Sequence, residues 1–293
     1  MTPPLGSWRF QQALAALTGT YALVGMFGWR DVSVIPAHWV AHLIVLGGIV
    51  AVAGGVRARA RGLSDALVVG AWALWCNATT APFTYAVMRA SVPMRDAQLA
   101  AFDAALGLPV PRVRAWLDVL PKDAWWGVYD LLAPLLVVAI FALPLTGRLP
   151  RARVLLGAYV ASFALALPVM STVQAVGPWA VHGFPAVDTQ LLYVKELGLL
   201  KTPGPFEFDP TRTQGVVTFP SFHTILAVLG GWALAPVRGL GLLGIGISSM
   251  IVLATVATGW HYVADVAGGL VLAALSIALA RAADPLWGDT AER

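Results

Sequence analysis

Eight apolar runs, each about as long as a bilayer is thick, leave this chain little else to fold into. They lie approximately over 11–29, 36–56, 64–88, 125–146, 152–174, 218–236, 238–258 and 261–281. Roughly 20 mostly apolar residues in a helix cross a hydrocarbon core, where helices satisfy their own backbone polar groups. Only 12% of the 293 residues are charged, about half the share expected of a soluble domain. The expectation is an all-α, polytopic membrane helix bundle of about eight spans. No Gly/Ser-rich linker separates the runs, so residues 1–63 read as a two-span N-terminal extension, 64–283 as a six-span core and 284–293 as a polar tail.

The connections alternate in character. Arg57, Arg59 and Arg61 crowd one, Arg148, Arg151 and Arg153 another, and Arg238 stands in a third. The positive-inside rule assigns these three to the cytoplasm. Both termini then face the cytoplasm, and the long connections 89–124 and 175–217 face the other side. The net charge of +4 does not imply nucleic acid, because the basic residues are dispersed among short loops. The single cysteine, Cys76, lies within an apolar run, which excludes an intramolecular disulfide and leaves it a packing role. The first run is long enough to persist as an anchor, and Arg9 is the only side-chain cation before it, which argues against a cleaved signal peptide. Within 89–124, residues 95–107 place apolar positions at helical spacing before Gly107. They read as a short interfacial or bundle-packed helix, with a second through Arg114, Trp116 and Leu117.

Two short segments carry the candidate chemistry. Phe219-Pro220-Ser221-Phe222-His223-Thr224 precedes one apolar run, and Gly259-Trp260-His261-Tyr262-Val263-Ala264-Asp265 opens another a hairpin later. Ionisable groups at the ends of membrane helices point to function. His261 and Asp265 stand four residues apart, so on a helix the carboxylate can bond one imidazole nitrogen and leave the other free. Charge topology puts His223 and His261 on the same, non-cytoplasmic face. Structural hydrogen bonding or a proton relay would use the same pair.

Pro220-Ser221-Phe222-His223 resembles the P-S-x-H motif of the phosphatidic acid phosphatase type 2 superfamily. His261-x-x-x-Asp265 followed by Gly268 resembles that family's closing motif. The likeness extends over 64–281, the six-helix core. The two motifs and the Arg-Asp-Ala-Gln-Leu pattern at 95–107 are similar to the branch containing inositol phosphorylceramide synthases. The resemblance implies that His261 takes the phosphoryl group as a phosphohistidine, that Asp265 orients it, and that His223 serves as general acid and then base. It implies Ser221 and nearby backbone N–H groups as holders of phosphate oxygens, and calls for no cofactor or metal. The substrate would be a lipid phosphate or phosphodiester within the bilayer.

The family's closing motif commonly begins Ser-Arg, where this chain has Ala254 and Thr255. The family's first motif is replaced by Lys195-x5-Lys201-Thr202-Pro203. Phosphoryl transfer needs cations on the equatorial oxygens, and Lys195, Lys201 and Arg212 are the candidate substrate-binding residues. Arg95 and Arg89 stand behind them.

Other matches are weaker. Gly239-x-Gly241-x-x-Gly244 fits a dinucleotide fingerprint but follows no strand, and with Gly246 it reads as a close-packing helix surface. Asn77-Ala78-Thr79 is a glycosylation sequon within an apolar run. His182, near Asp188, could join the site, and His38 with His42 could pair on a metal.

Three functional classes follow. The leading one is a membrane phosphoryl-transfer enzyme, a lipid phosphatase if water accepts or a headgroup phosphotransferase if an alcohol does. A second is a metal-dependent enzyme using His223, His261 and Asp265 as two histidines and a carboxylate. The third is a non-catalytic lipid transporter with a proton relay, against which stands the lack of an evident internal repeat.

Overall fold

A computed structural model describes residues 8–211 and 215–287, and all eight apolar runs are helical in it. The N-terminal region comprises α1 (Trp8–Phe27), a short strand β1 (Val32–Val34) and α2 (Pro36–Val56). After α3 (Arg61–Met88), the first long connection holds α4 (Asp96–Ala105), α5 (Val110–Leu117) and α6 (Lys122–Asp130). The last of these runs almost directly into α7 (Leu132–Leu145), and α8 (Leu149–Thr172) returns. The second long connection holds α9 (Pro178–Val181), α10 (Asp188–Lys201) and β2 (Phe206–Phe208). The chain closes with α11 (Phe222–Leu234), α12 (Gly241–Ala257) and α13 (Val263–Trp287).

Among the described residues, five helical stretches are long and apolar enough to cross a membrane: α2, α3, the α6–α7 unit, α8 and α13. The expected eight runs are therefore all helices, but not all of crossing length. The 13 residues of α11 rise only about 20 Å, against a hydrocarbon core of about 30 Å. The reason is visible at its start: residues 215–218 run without regular structure and Ser221 caps the helix. Outward surfaces are apolar, with Ile44 69% and Leu242 89% exposed, the pattern of helices solvated by lipid rather than water.

The core gathers where α3, α7, α8, α11 and α13 meet, around Cys76, Ala139, Ala158, Ile225, Leu229 and Ala273. Cys76 is fully buried there. Helices in lipid associate through close packing, which favours small residues at their contacts. The α11–α12 contact is built this way: a Cβ on Gly231 would stand 2.6 Å from Ser248 Cβ, and one on Gly244 2.8 Å from Leu234 Cβ. Gly241 and Gly244 thus have the packing role expected of them. Gly246 does not, since its missing side chain would meet open space.

Polar ties fasten the periphery. The Arg151 guanidinium donates to the Trp232 and Ala233 carbonyls and stacks 3.8 Å from the Trp232 ring centroid. Arg153 Nε donates to Asp284 Oδ1 at 2.6 Å. α13 continues through Trp287, into the stretch read as a polar tail from 284; residues 288–293 lie outside the described residues. The N-terminal region is joined to the second long connection by β1 and β2, which pair in parallel with Val32 opposite Phe206. Both expected short helices of 89–124 are present as α4 and α5. Each buries one side (Leu99, Val110) and exposes large apolar residues (Phe102, Trp116) on the other.

Gly231→Ala should force the α11–α12 contact apart. Overpacking of this kind costs about 1–3 kcal/mol, and thermal unfolding of the detergent-solubilised protein should register it, whereas Gly246→Ala should be silent.

Candidate active site

The two histidine segments meet because three chain ends converge. α11 begins at Phe222 and α13 at Val263, while α12 finishes at Ala257 between them. Ser221 N–H donates to the Asp265 carbonyl at 3.0 Å, bonding the start of one motif to the end of the other. A Cβ on Gly269 would stand 2.7 Å from the Ser221 carbonyl oxygen. Only glycine lets α13 come this near, whereas Gly268 would admit a Cβ at ordinary contact distance from Phe219.

The imidazole rings of His223 and His261 lie 6.5 Å apart, centroid to centroid. His261 Nδ1 is 3.2 Å from Asp265 Oδ2, and that oxygen also accepts the Tyr262 N–H at 2.8 Å. Asp265 is fully buried and its other oxygen has no hydrogen-bond partner among the described residues. The pair is made across a helix start rather than along a helix face. His261 precedes the first residue of α13, and its own N–H donates to the Thr255 carbonyl at the end of α12 (3.1 Å).

His223 has a partner that the motifs do not announce. Tyr129, near the end of α6, stacks on its ring at 4.2 Å with planes 20° apart, and Tyr129 Oη lies 3.2 Å from His223 Nδ1. Trp125, one turn earlier, fixes α6 by donating from Nε1 to the Leu117 carbonyl at 2.8 Å. The aromatic cluster at 125–129 looks like an interfacial belt in sequence; only the approach of α6 to α11 reveals one member as the neighbour of His223.

The turn carrying His261 is held from outside by α4. Asp103 accepts the Val263 and Ala264 N–H groups, both at 2.8 Å, so it caps α13 from a distant helix. Asp96 accepts the Val176 and Gly177 N–H groups and, at 3.0 Å, the Tyr262 hydroxyl. Burial raises the Asp103 carboxyl above its ordinary pKa, opposed by those two N–H groups and by nearby His182. Two glycines let the loops close: Gly177 has φ +117° and Gly259 φ +81°, a region other residues rarely adopt. A Cβ on Gly177 would stand 2.9 Å from the Trp260 carbonyl.

The remaining expected residues are placed as follows. Ser221 is fully buried and its Oγ accepts from Thr224 N–H (3.2 Å) and Oγ1 (3.0 Å), the role of a helix cap. Lys195 is exposed on α10. Lys201 is half-buried, which lowers its ammonium pKa, and donates to the Ala90 carbonyl and Gln174 Oε1. Neither lysine is bonded to His223 or His261 among the described residues. Arg212 lies outside the described residues. Arg89 donates to the Thr202 and Gly204 carbonyls. Arg95 lines a groove of about 710 Å³ whose walls are otherwise mostly apolar, among them Phe102, Pro220, Ala264 and Gly268. His182 tilts against Phe184 near Asp103 rather than joining His261. His38 faces Asp209 at 3.5 Å, and His42 Nδ1 lies 3.3 Å from the His38 carbonyl rather than sharing a metal position with it. Among the described residues no group of three or more His, Cys, Asp or Glu side chains is arranged to hold a metal ion.

This geometry agrees with an independent comparison: a family model described as the PAP2 superfamily matches residues 97–279. The chain belongs to the PAP2 superfamily. The match covers well over half of the chain and begins within α4, not at residue 64. No curated protein and no solved structure matches the chain. PAP2 membership points to phosphatase-type phosphoryl transfer, here in a membrane frame, and the matched region contains every residue of the His223–His261–Asp265–Tyr129 cluster.

Asp103→Ala should leave two buried N–H donors unmet, at about 1–3 kcal/mol each. We expect a lower melting temperature together with reduced turnover, and Asp103→Asn, which keeps one acceptor oxygen, should fall between. Turnover unchanged at a lowered melting temperature would separate this cap from the PAP2 chemistry.

Proposed function

We propose that the protein is an integral-membrane phosphoryl-transfer enzyme acting on a lipid phosphate or phosphodiester through a phosphohistidine on His261. The observation that carries this reading is the facing pair of imidazoles with different partners. His261 has a carboxylate behind Nδ1, which fixes the tautomer with the other nitrogen as nucleophile and balances the charge that follows attack. Among the described residues His223 has no carboxylate partner, only the neutral Tyr129, which suits a group that gives a proton to the leaving oxygen and takes one from the acceptor. With ring centroids 6.5 Å apart, both imidazoles are near enough to act on one phosphoryl group. Neutral imidazole is also a better nucleophile than a carboxylate towards an anionic phosphate.

The step balances simply. A His261 nitrogen forms a bond to phosphorus as the bond to the leaving alkoxide breaks, and His223 supplies that oxygen's proton. The acceptor, water or an alcohol, then loses its proton to His223 as it displaces the imidazole. The likeness of both motifs to the inositol phosphorylceramide synthase branch supports an alcohol acceptor and hence headgroup transfer. His261 is only 4% exposed, which supports the same choice because it limits bulk water. The charge asymmetry of the loops supports a site on the non-cytoplasmic face with both termini cytoplasmic.

The metal-dependent alternative finds less support, since Asp265 is turned to His261 Nδ1 instead of converging with both rings on a common point.

Incubation of purified protein with a labelled lipid phosphate or phosphodiester should yield a phosphoprotein that is acid-labile and base-stable, and His261→Ala should abolish it. Orthovanadate should inhibit and chelators should not. A His261→Ala protein turning over at the wild-type rate would end the mechanism, and release of free phosphate alone with alcohol acceptors present would decide for the phosphatase.

A further inference from the structure

A phosphoryl group between His223 and His261 would carry negative charge on its equatorial oxygens, and among the described residues no basic side chain is bonded to that pair. Most cations of the two long connections are already engaged or turned outward. Arg89 and Lys201 donate to backbone carbonyls, Arg112 donates to the Gly107 carbonyl at 3.2 Å, and Lys195 is exposed. Arg95 opens on a mostly apolar groove.

Arg114 on α5 is different. Its guanidinium carbon sits 3.8 Å from the centroid of the Phe184 ring. The residue is partly buried, and burial lowers its pKa, with Asp118 opposing at longer range. Among the described residues no hydrogen bond or ion pair to this guanidinium is formed, although it offers five N–H donors in a fixed fork. Desolvated donors without acceptors are costly, so an unengaged fork at a site edge suits an anion that arrives from outside.

Its position fits. Val110, one turn before Arg114, is 1% exposed and clusters with Tyr262 and Ala264, the neighbours of His261. Leu117, one turn after it, clusters with Tyr129 and Ala257. Residues 110, 114 and 117 share one helix face, which therefore lies beside the His261 turn at one end and beside the end of α12 at the other. Phe184 itself leans on the turn: a Cβ on Gly259 would be 3.3 Å from its ring.

We propose that Arg114, held flat by Phe184, binds the anionic oxygens of the phosphoryl group seated between His223 and His261. This rests on the phosphoryl-transfer reading above. The planar fork matches two phosphate oxygens at once, and the aromatic support replaces a protein acceptor that would compete with the ligand.

Inorganic phosphate, titrated by calorimetry into the full-length detergent-purified protein, tests this without turnover. Arg114→Gln should weaken phosphate roughly tenfold to hundredfold, the range for a lost charged hydrogen-bonding partner. Arg114→Lys should recover part of the affinity, and Arg112→Gln, two residues away, should change nothing. His261→Gln should form no phosphoprotein yet still bind phosphate in an Arg114-dependent manner. If Arg114→Gln does not fold, Phe184→Leu carries the test with a smaller expected loss of roughly twofold to fivefold. A folded Arg114→Gln protein that binds phosphate like wild type overturns the proposal and leaves Arg114 a strut between α5 and Phe184. Wild-type protein that does not bind phosphate overturns it as well. Arg114-dependent binding without any phosphoprotein would instead reject the proposed reaction and keep the anion site.

Discussion

Two carboxylates on one ten-residue helix hold the site together. Asp103 and Asp96 of α4 accept from the backbone of Val263, Ala264, Val176 and Gly177 and from the Tyr262 hydroxyl. The first N–H groups of a helix have no partner within it, and in α13 those groups follow directly on His261. A local Ser or Thr would satisfy them and leave the turn free to move as a unit with α13. A cap from α4 instead ties the turn to a separate element. The orientation of His261 is then fixed from two directions, by Asp265 within its own segment and by α4 from outside it.

That arrangement demands close approach elsewhere, and the glycines are placed where it is demanded. Gly269 admits the Ser221 carbonyl against α13, and Gly231 with Gly244 brings α12 against α11. These contacts fix the separation between the two helix starts, and therefore the separation of the two imidazoles. Bilayer packing lacks the hydrophobic drive available in water and depends on such fits. Geometry at the site is thus set by contacts made a turn or more down each helix.

Much of this was legible in the sequence because the signals were local. All eight apolar runs are helical, and the His223 and His261 segments meet as their likeness to one family implied. What escaped were the contacts made by residues outside the two motifs. Tyr129 reads as an interfacial aromatic until α6 is seen against α11. Asp96 and Asp103, seven residues apart and so on one face of a mostly apolar helix, were a usable signal: charges on a buried face need donors to meet them. The expected pairing of His261 and Asp265 was right in its partners but not in its setting, because the bond spans a helix start. Lys195 and Lys201 stand in the loop before the first motif, and sequence position alone does not show that Gln174 and Ala90 engage Lys201.

The capping pattern also restricts how an anion can be held. Helix N-termini are ready anion sites when their N–H groups are unused, and α11 and α13 both begin at this site. Here Ser221 takes the Thr224 N–H, and Asp103 takes those of Val263 and Ala264. Three of the donors a phosphate could use at these helix ends are therefore spent on positioning. The Asp103 carboxylate that takes two of them adds no positive charge to the turn, and neither does Asp265. A dianionic group brought into this setting lacks a counter-charge unless a side-chain cation stands close, since helix dipoles act only over about one turn. Rigid histidines and free backbone donors are competing uses of the same N–H groups. Having committed them to rigidity, the fold must draw its positive charge from a side chain, and a stacked, otherwise unengaged guanidinium meets that need without disturbing either histidine.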